Sequence, residues 1–217
     1  MLEVQLGWVN SLAISIRLEA TDKLENKLNK NLYIGILGGS FDPPHEGHVN
    51  ISKSALTKMK LNEIWWIVTS SNPFKINSSL FSKRYKQTKD YVSNKNIRII
   101  QLDEKKSAFT IDTVLYLKKK YPKHNFIWLM GSDNLIDLHK WKSWKEIFYN
   151  IPIAILDRPF YSFILTKFKS LVYFRKAKVS KSLIRNLKCF QPPAWTFISG
   201  IPNFQSSTRI RNKNSQW

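Results

Sequence analysis

Leu32-Tyr33-Ile34-Gly35-Ile36-Leu37-Gly38-Gly39-Ser40-Phe41-Asp42-Pro43-Pro44-His45-Glu46-Gly47-His48 is the stretch whose reading decides the fold. Its first six residues form an apolar run that stops at Gly38-Gly39, as a strand buried on both faces of a parallel sheet would. After Gly47-His48, the apolar residues Ile51, Ala55, Leu56 and Met59 recur at helical spacing, so the stretch reads strand, loop, helix. Glycines in the loop let the backbone approach a ligand closely, and the helix start offers unpaired N–H groups to a phosphate. His45 and His48, three apart at that start, are placed to donate to phosphate oxygens and to stabilise charge that develops in phosphoryl or nucleotidyl transfer. The same pair also reads as turn residues with a structural role, or as metal ligands. A metal site would want a third ligand, and apart from Glu46 between them no obvious one is offered.

The alternation repeats along the chain. Glu63-Ile64-Trp65-Trp66-Ile67-Val68 is strand-like, residues 82–93 helix-like, and Ile97-Arg98-Ile99-Ile100 strand-like again. A helix starts near Ile111, with Thr110 as its cap, Val114, Leu115 and Leu117 on its apolar side, and Asp112 suited to the positive end of its dipole. Asn125-Phe126-Ile127-Trp128-Leu129-Met130 supplies a fourth strand and residues 151–156 a fifth; the Lys-rich segment 167–188 reads as solvated and helical. Strands alternating with helices predict an α/β fold, a Rossmann-like, doubly wound and mostly parallel sheet with helices on both faces. Ligands on such sheets sit beyond the carboxyl ends of the strands, where the strand order reverses.

Composition sets the class. The chain has 217 residues, 43% of them hydrophobic, enough for one domain with a sizeable core. Residues 1–31 end in a polar run and read as an N-terminal extension, leaving 32–217 as the domain. Lys+Arg number 35 against Asp+Glu 15, a net charge of +20 that attracts phosphorylated substrates and polyanions. The basic residues are mostly Lys scattered among Asn and Ile, a pattern that AT-rich coding alone produces, and no run of Arg with aromatics or zinc-finger spacing points to nucleic acid. The single Cys189 excludes an internal disulfide and fits a reducing cytoplasm. No apolar stretch approaches the roughly 18 residues of a membrane span, and Glu3 stands where a signal peptide would be basic.

The run Gly38-Gly39-Ser40-Phe41-Asp42-Pro43, leading into His45-Glu46-Gly47-His48, resembles the first signature of the nucleotidyltransferase superfamily, the H-x-G-H phosphate-binding motif on a Rossmann-like fold. Far downstream, Ser206-Ser207-Thr208-Arg209-Ile210-Arg211 is similar to its second signature, usually written I-S-S-T-x-I-R, with Gln205 in place of a branched aliphatic. A Ser-Ser-Thr cluster by itself is an ordinary N-cap. Hydroxyls and free amides at a helix start, followed by an Arg one turn on, also suit a triphosphate tail.

Internal segments point to one branch. Asn72-Pro73-Phe74-Lys75 resembles the N-P-x-K segment of bacterial nicotinate-nucleotide adenylyltransferases, Phe109-Thr110-Ile111-Asp112-Thr113 their Y-T-I-D-T, and Gly131-Ser132-Asp133-Asn134-Leu135 with Trp141 and Trp144 their G-x-D-N-L followed by W-x-x-W. Asp157-Arg158-Pro159 is similar to the family's R-P segment.

The resemblance implies transfer of the adenylyl group of ATP, with magnesium, to nicotinate mononucleotide, by direct in-line attack without a covalent intermediate. It implies that His45, His48, Lys75 and Arg211 cradle the reacting phosphates. It gives Gly38, Gly39, Ser40, Phe41, His48, Asp133, Ser206, Ser207, Thr208 and Arg211 to ATP, Asp133 facing the adenosine ribose or the magnesium. It gives Lys75, Phe109, Thr110, Asp112, Trp141 and Arg158 to nicotinate mononucleotide, with Trp141 stacked on the pyridine ring and backbone amides after Phe109 holding the carboxylate. Trp144 reads as core. A different acceptor, such as nicotinamide mononucleotide or phosphopantetheine, and a basic nucleic-acid-binding protein are the competing readings.

Overall fold

In the computed structural model, residues 31–70, 79–102, 108–157 and 167–200 are described. Six parallel strands, β1 (Tyr33–Gly39), β2 (Glu63–Val68), β3 (Ile97–Ile100), β4 (Asn125–Gly131), β5 (Ile153–Leu156) and β6 (Trp195–Ile198), form one sheet in the order β3-β2-β1-β4-β5-β6. The chain builds outward from β1 in one direction, then returns to its other side with β4. The order therefore reverses between β1 and β4, and a crevice opens at their carboxyl ends.

Side-chain alternation explains why the sheet is covered twice. Ile34, Ile36, Trp65, Ile67, Phe126, Trp128 and Ile153 face one core, while Leu37, Ile64, Trp66, Val68, Ile127 and Leu129 face the other. All six residues of β2 are buried. Helices α1 (Glu46–Met59) and α2 (Phe81–Tyr91) pack on the second face through Ile51, Ala55, Met59, Phe81 and Tyr85. On the first face lie α3 (Thr110–Lys120), α4 (Trp144–Asn150) and α5 (Lys169–Tyr173), through Ile111, Val114, Leu117, Ile147, Phe148 and Leu171. The doubly wound fold expected from the sequence is the one observed.

Three local readings change. The fifth strand starts at Ile153 rather than at residue 151, because Ile151 still closes α4 and Pro152 has no N–H to continue a helix. The sixth strand, Trp195–Ile198, follows a long crossover in which the Lys-rich segment forms α5 and 3₁₀ turns over Arg175–Ala177 and Lys181–Cys189. The N-cap of α3 is Phe109, extended at φ −126° and without a side-chain cap bond, so Thr110 is already inside the first turn. Among the described residues, no helix is long and apolar enough to cross a membrane.

Candidate active site

The loop after β1 carries the two histidines to the start of α1. His45 is the N-cap, in extended conformation, and its Nδ1 accepts the Gly47 backbone N–H at 3.1 Å. His48, three residues on, accepts the backbone N–H of His45 at its own Nδ1, 3.3 Å away. The two rings thus complete a reciprocal capping box, a task usually given to Ser or Thr with Glu. Because both Nδ1 atoms accept, hydrogen-bond geometry assigns the ring proton of each neutral imidazole to Nε2. The ring centroids lie 3.8 Å apart. His45 is buried at 3% exposure, whereas His48 is only partly covered.

Phe41 holds His48 from below. Its ring is fully buried, stacked on Trp66 at 4.8 Å and set against His48 at 4.7 Å, with its backbone in the left-handed region at φ 45°. A bulky residue adopts that conformation only where its surroundings enforce it. Ser40 and Asp42 on either side are also buried. In this structure Phe41 touches the histidine and the core.

Gly38 has a packing partner in the sheet. A Cβ there would lie 2.6 Å from the Trp128 ring, so the missing side chain admits the indole from β4 across the β1–β4 junction. Gly39 is less tight, a Cβ meeting the Phe41 ring at 3.3 Å.

Asp133 stands on the opposite lip. β4 ends at Gly131, and the 3₁₀ turn Ser132–Ile136 begins at once, putting Asp133 partly exposed at the carboxyl end of the strand next to β1. Asn134 Nδ2 donates to Gly131 O at 3.3 Å and holds the turn. On this lip too, the start of α3 is tied to the segment carrying Trp141. Lys142 Nζ lies 3.1 Å from Asp112 Oδ2 and 4.7 Å from the Phe109 ring centroid. Phe109, Thr110, Asp112 and Trp141 are in this way brought to one region, through a lysine that the motifs do not feature. Trp141 and Trp144 are both partly buried at the edge of the core, so Trp144 borders the core rather than lying within it, edge-on to Tyr173 and Phe174.

Arg84 is a further residue that the sequence did not single out. It is 1% exposed on α2, and its guanidinium donates to the carbonyls of Ser40, Thr69, Ser70 and Ser79 at 2.8 to 2.9 Å. Burial pulls its pKa below the usual range, and the Asp42 carboxylate opposes that. A helical wheel places Arg84 and Thr88 on the same side as Phe81 and Tyr85, the signal that was available. Lys75, Arg158, Ser206, Ser207, Thr208 and Arg211 lie outside the described residues. An open hollow of about 430 Å³ lined by Tyr149, Tyr173, Phe174, Arg175 and Lys176 contains none of the expected site residues. It adjoins Pro193, just before β6, at the amino ends of the strands and away from the crevice.

The site thus lies at a topological switch point, with an N-capping histidine pair on one side and a carboxylate on the other. The cytidylyltransferase-like family model matches residues 36–213, and the chain belongs to that family. It is 35% identical to a protein of Ruegeria sp. (strain TM1040) named "probable nicotinate-nucleotide adenylyltransferase", over 84% of this chain and 97% of that one. A protein of the same name from Brucella abortus (strain 2308) is also 35% identical, over 82% and 93%. Within the family, the chain belongs to the nicotinate-nucleotide adenylyltransferases. The fold is shared with the Plasmodium falciparum nicotinic acid mononucleotide adenylyltransferase complexed with NaAD, at TM-score 0.63 and 20% identity over 84% of this chain and 83% of that one.

Proposed function

We propose that this chain transfers the adenylyl group of ATP to nicotinate mononucleotide, forming deamido-NAD and releasing pyrophosphate in NAD biosynthesis. The observation that carries the reading is the His45–His48 pair at the start of α1, beside the β1–β4 switch point, in a chain whose relatives over nearly their full length bear that enzyme's name.

A 5′-phosphate oxygen of the mononucleotide attacks the α-phosphorus of ATP. The bond from that phosphorus to the oxygen bridging to the β-phosphate breaks, and pyrophosphate leaves with the electron pair. No protein nucleophile is needed, so catalysis reduces to alignment and charge stabilisation. His48 donates its Nε2–H to an α-phosphate oxygen, and His45 supports it from behind. Because their Nδ1 atoms are already engaged by backbone amides, the donors are oriented before substrate arrives. Lys75, Arg211 and the hydroxyls of Ser206, Ser207 and Thr208 are assigned to the same phosphates, Gly38, Gly39 and Ser40 to the backbone floor, and Arg158 to the mononucleotide. The α3 start after Phe109 has no side-chain cap, so its amides suit a carboxylate, and the half-buried Trp141 suits the pyridine face.

ATP is taken as its magnesium complex. Asp133, at the carboxyl end of β4, is assigned to face that magnesium or the adenosine ribose. The lone Cys189 supports a reducing compartment, and we place the enzyme in the cytoplasm.

The test uses ATP made chiral at the α-phosphorus with sulfur, nicotinate mononucleotide as acceptor, and mass and stereochemical analysis of the product. Deamido-NAD with inverted configuration is expected. Retention would mean a covalent enzyme intermediate, and absence of the dinucleotide would remove the assignment.

A further inference from the structure

We propose that Arg84 is a positioning residue for this reaction, fixing the Ser40–Asp42 turn and, through Phe41, the ring of His48. The proposal rests on the function assigned above. A guanidinium is costly to bury unless its N–H groups are bonded, and Arg84 meets that condition with main-chain carbonyls alone. Nε donates to Ser79 O at 2.8 Å, Nη1 to Ser40 O and Thr69 O at 2.8 Å, and Nη2 to Ser70 O at 2.9 Å. These acceptors come from three stretches of chain, beyond β1, beyond β2 and before α2. One side chain therefore joins the loops at the carboxyl ends of two neighbouring strands.

The joint closes on itself. Ser79, which gives its carbonyl to Arg84, donates its N–H to Asp42 Oδ2 at 3.0 Å. Ser40 and Asp42 are both held, and Phe41 between them is kept at φ 45° with its ring against His48, 4.7 Å between centroids. A change at Arg84 reaches His48 through two covalent neighbours and one ring contact. Lysine cannot substitute, because its ammonium offers three donors from one point where the site needs a planar fork reaching four carbonyls.

The experiment compares the full-length wild type and Arg84→Lys, each with ¹⁵N-labelled histidine. The chain has four histidines: His45 and His48 report the site, while His124, packed by Trp65 and Phe126, and His139 serve as internal controls. The expected result is that the ring resonances of His45 and His48 move and those of His124 and His139 stay. With ATP and nicotinate mononucleotide, kcat should fall about 10²-fold, as a misplacement of about 1 Å commonly causes, with each KM changed less than about threefold. Unmoved site histidines, or kcat within about twofold of wild type in the folded variant, would overturn the proposal. If Arg84→Lys does not fold, Arg84→Ala with added guanidinium ion replaces it. Partial return of kcat that methylammonium does not give is expected, and no return would overturn the proposal. A wild type that makes no deamido-NAD removes the functional assignment, while the histidine spectra still decide the role of Arg84.

Discussion

The imidazoles of His45 and His48 stand 3.8 Å apart between centroids, and each takes a backbone N–H at its Nδ1. The pair therefore caps α1, and the proposed reaction gives it a second task, donation from Nε2–H of His48 to a phosphate. Substitutions can separate these. His45→Ala removes an N-cap and should cost about 1 kcal/mol of stability, and His45→Asn should restore most of it, both read by denaturant unfolding. His48→Ala should lower kcat by about 10³-fold, the scale for losing one preorganised donor to transition-state charge, with a much smaller effect on stability. Near-normal turnover in a folded His48→Ala protein would remove the role assigned to that ring.

Gly38→Ala tests the junction of β1 with β4. The new methyl would lie 2.6 Å from the rigid Trp128 ring, and overpacking of this kind costs about 1 to 3 kcal/mol. Thermal unfolding should show a clear loss for the single variant. Gly38→Ala combined with Trp128→Phe should lose less than the sum of the two singles, because the smaller ring frees the space. Additive losses would show that the indole is not the obstacle.

Asp157, just after β5, titrates abnormally. Burial raises its pKa, partly offset by Lys181. A carboxyl whose folded-state pKa is raised binds its proton more tightly in the native protein, so its contribution to stability falls as pH rises from the unfolded value through the raised one. Asp157→Asn should therefore gain stability relative to wild type as pH rises above the ordinary carboxyl range, and match it near pH 3. Urea unfolding across that range checks the sign, and a variant that loses ground on going to neutral pH would contradict it.

Legibility in the sequence followed physical rules. β1, β2 and β4 were readable because strands covered on both faces are continuous apolar runs. β6 was not, since Trp195–Ile198 is four residues long and follows a Lys-rich crossover whose described residues, 167–194, hold no other strand of the sheet. The histidine pair was legible as part of the start of α1, but its capping role was not, because imidazole rarely caps helices. A glycine at position 38 signals clearance without saying for what, and only the packing shows Trp128 beside it. Arg84 was hidden by its company. In a chain with 35 Lys and Arg, one cation whose bonds go mostly to carbonyls 14 or more residues away looks like any other until the chain is folded.

Adenylyl transfer to nicotinate mononucleotide is read most directly as pyrophosphate release from ATP and magnesium, with nicotinate mononucleotide, nicotinamide mononucleotide and phosphopantetheine compared side by side on the full-length protein. The uncapped α3 start and the Trp141 segment held to it through Lys142 and Asp112 predict a kcat/KM for nicotinate mononucleotide at least about 10²-fold above the other two, about the value of one charge-assisted contact to a carboxylate. Equal or greater activity with either competitor, or no release with any of the three, would contradict it.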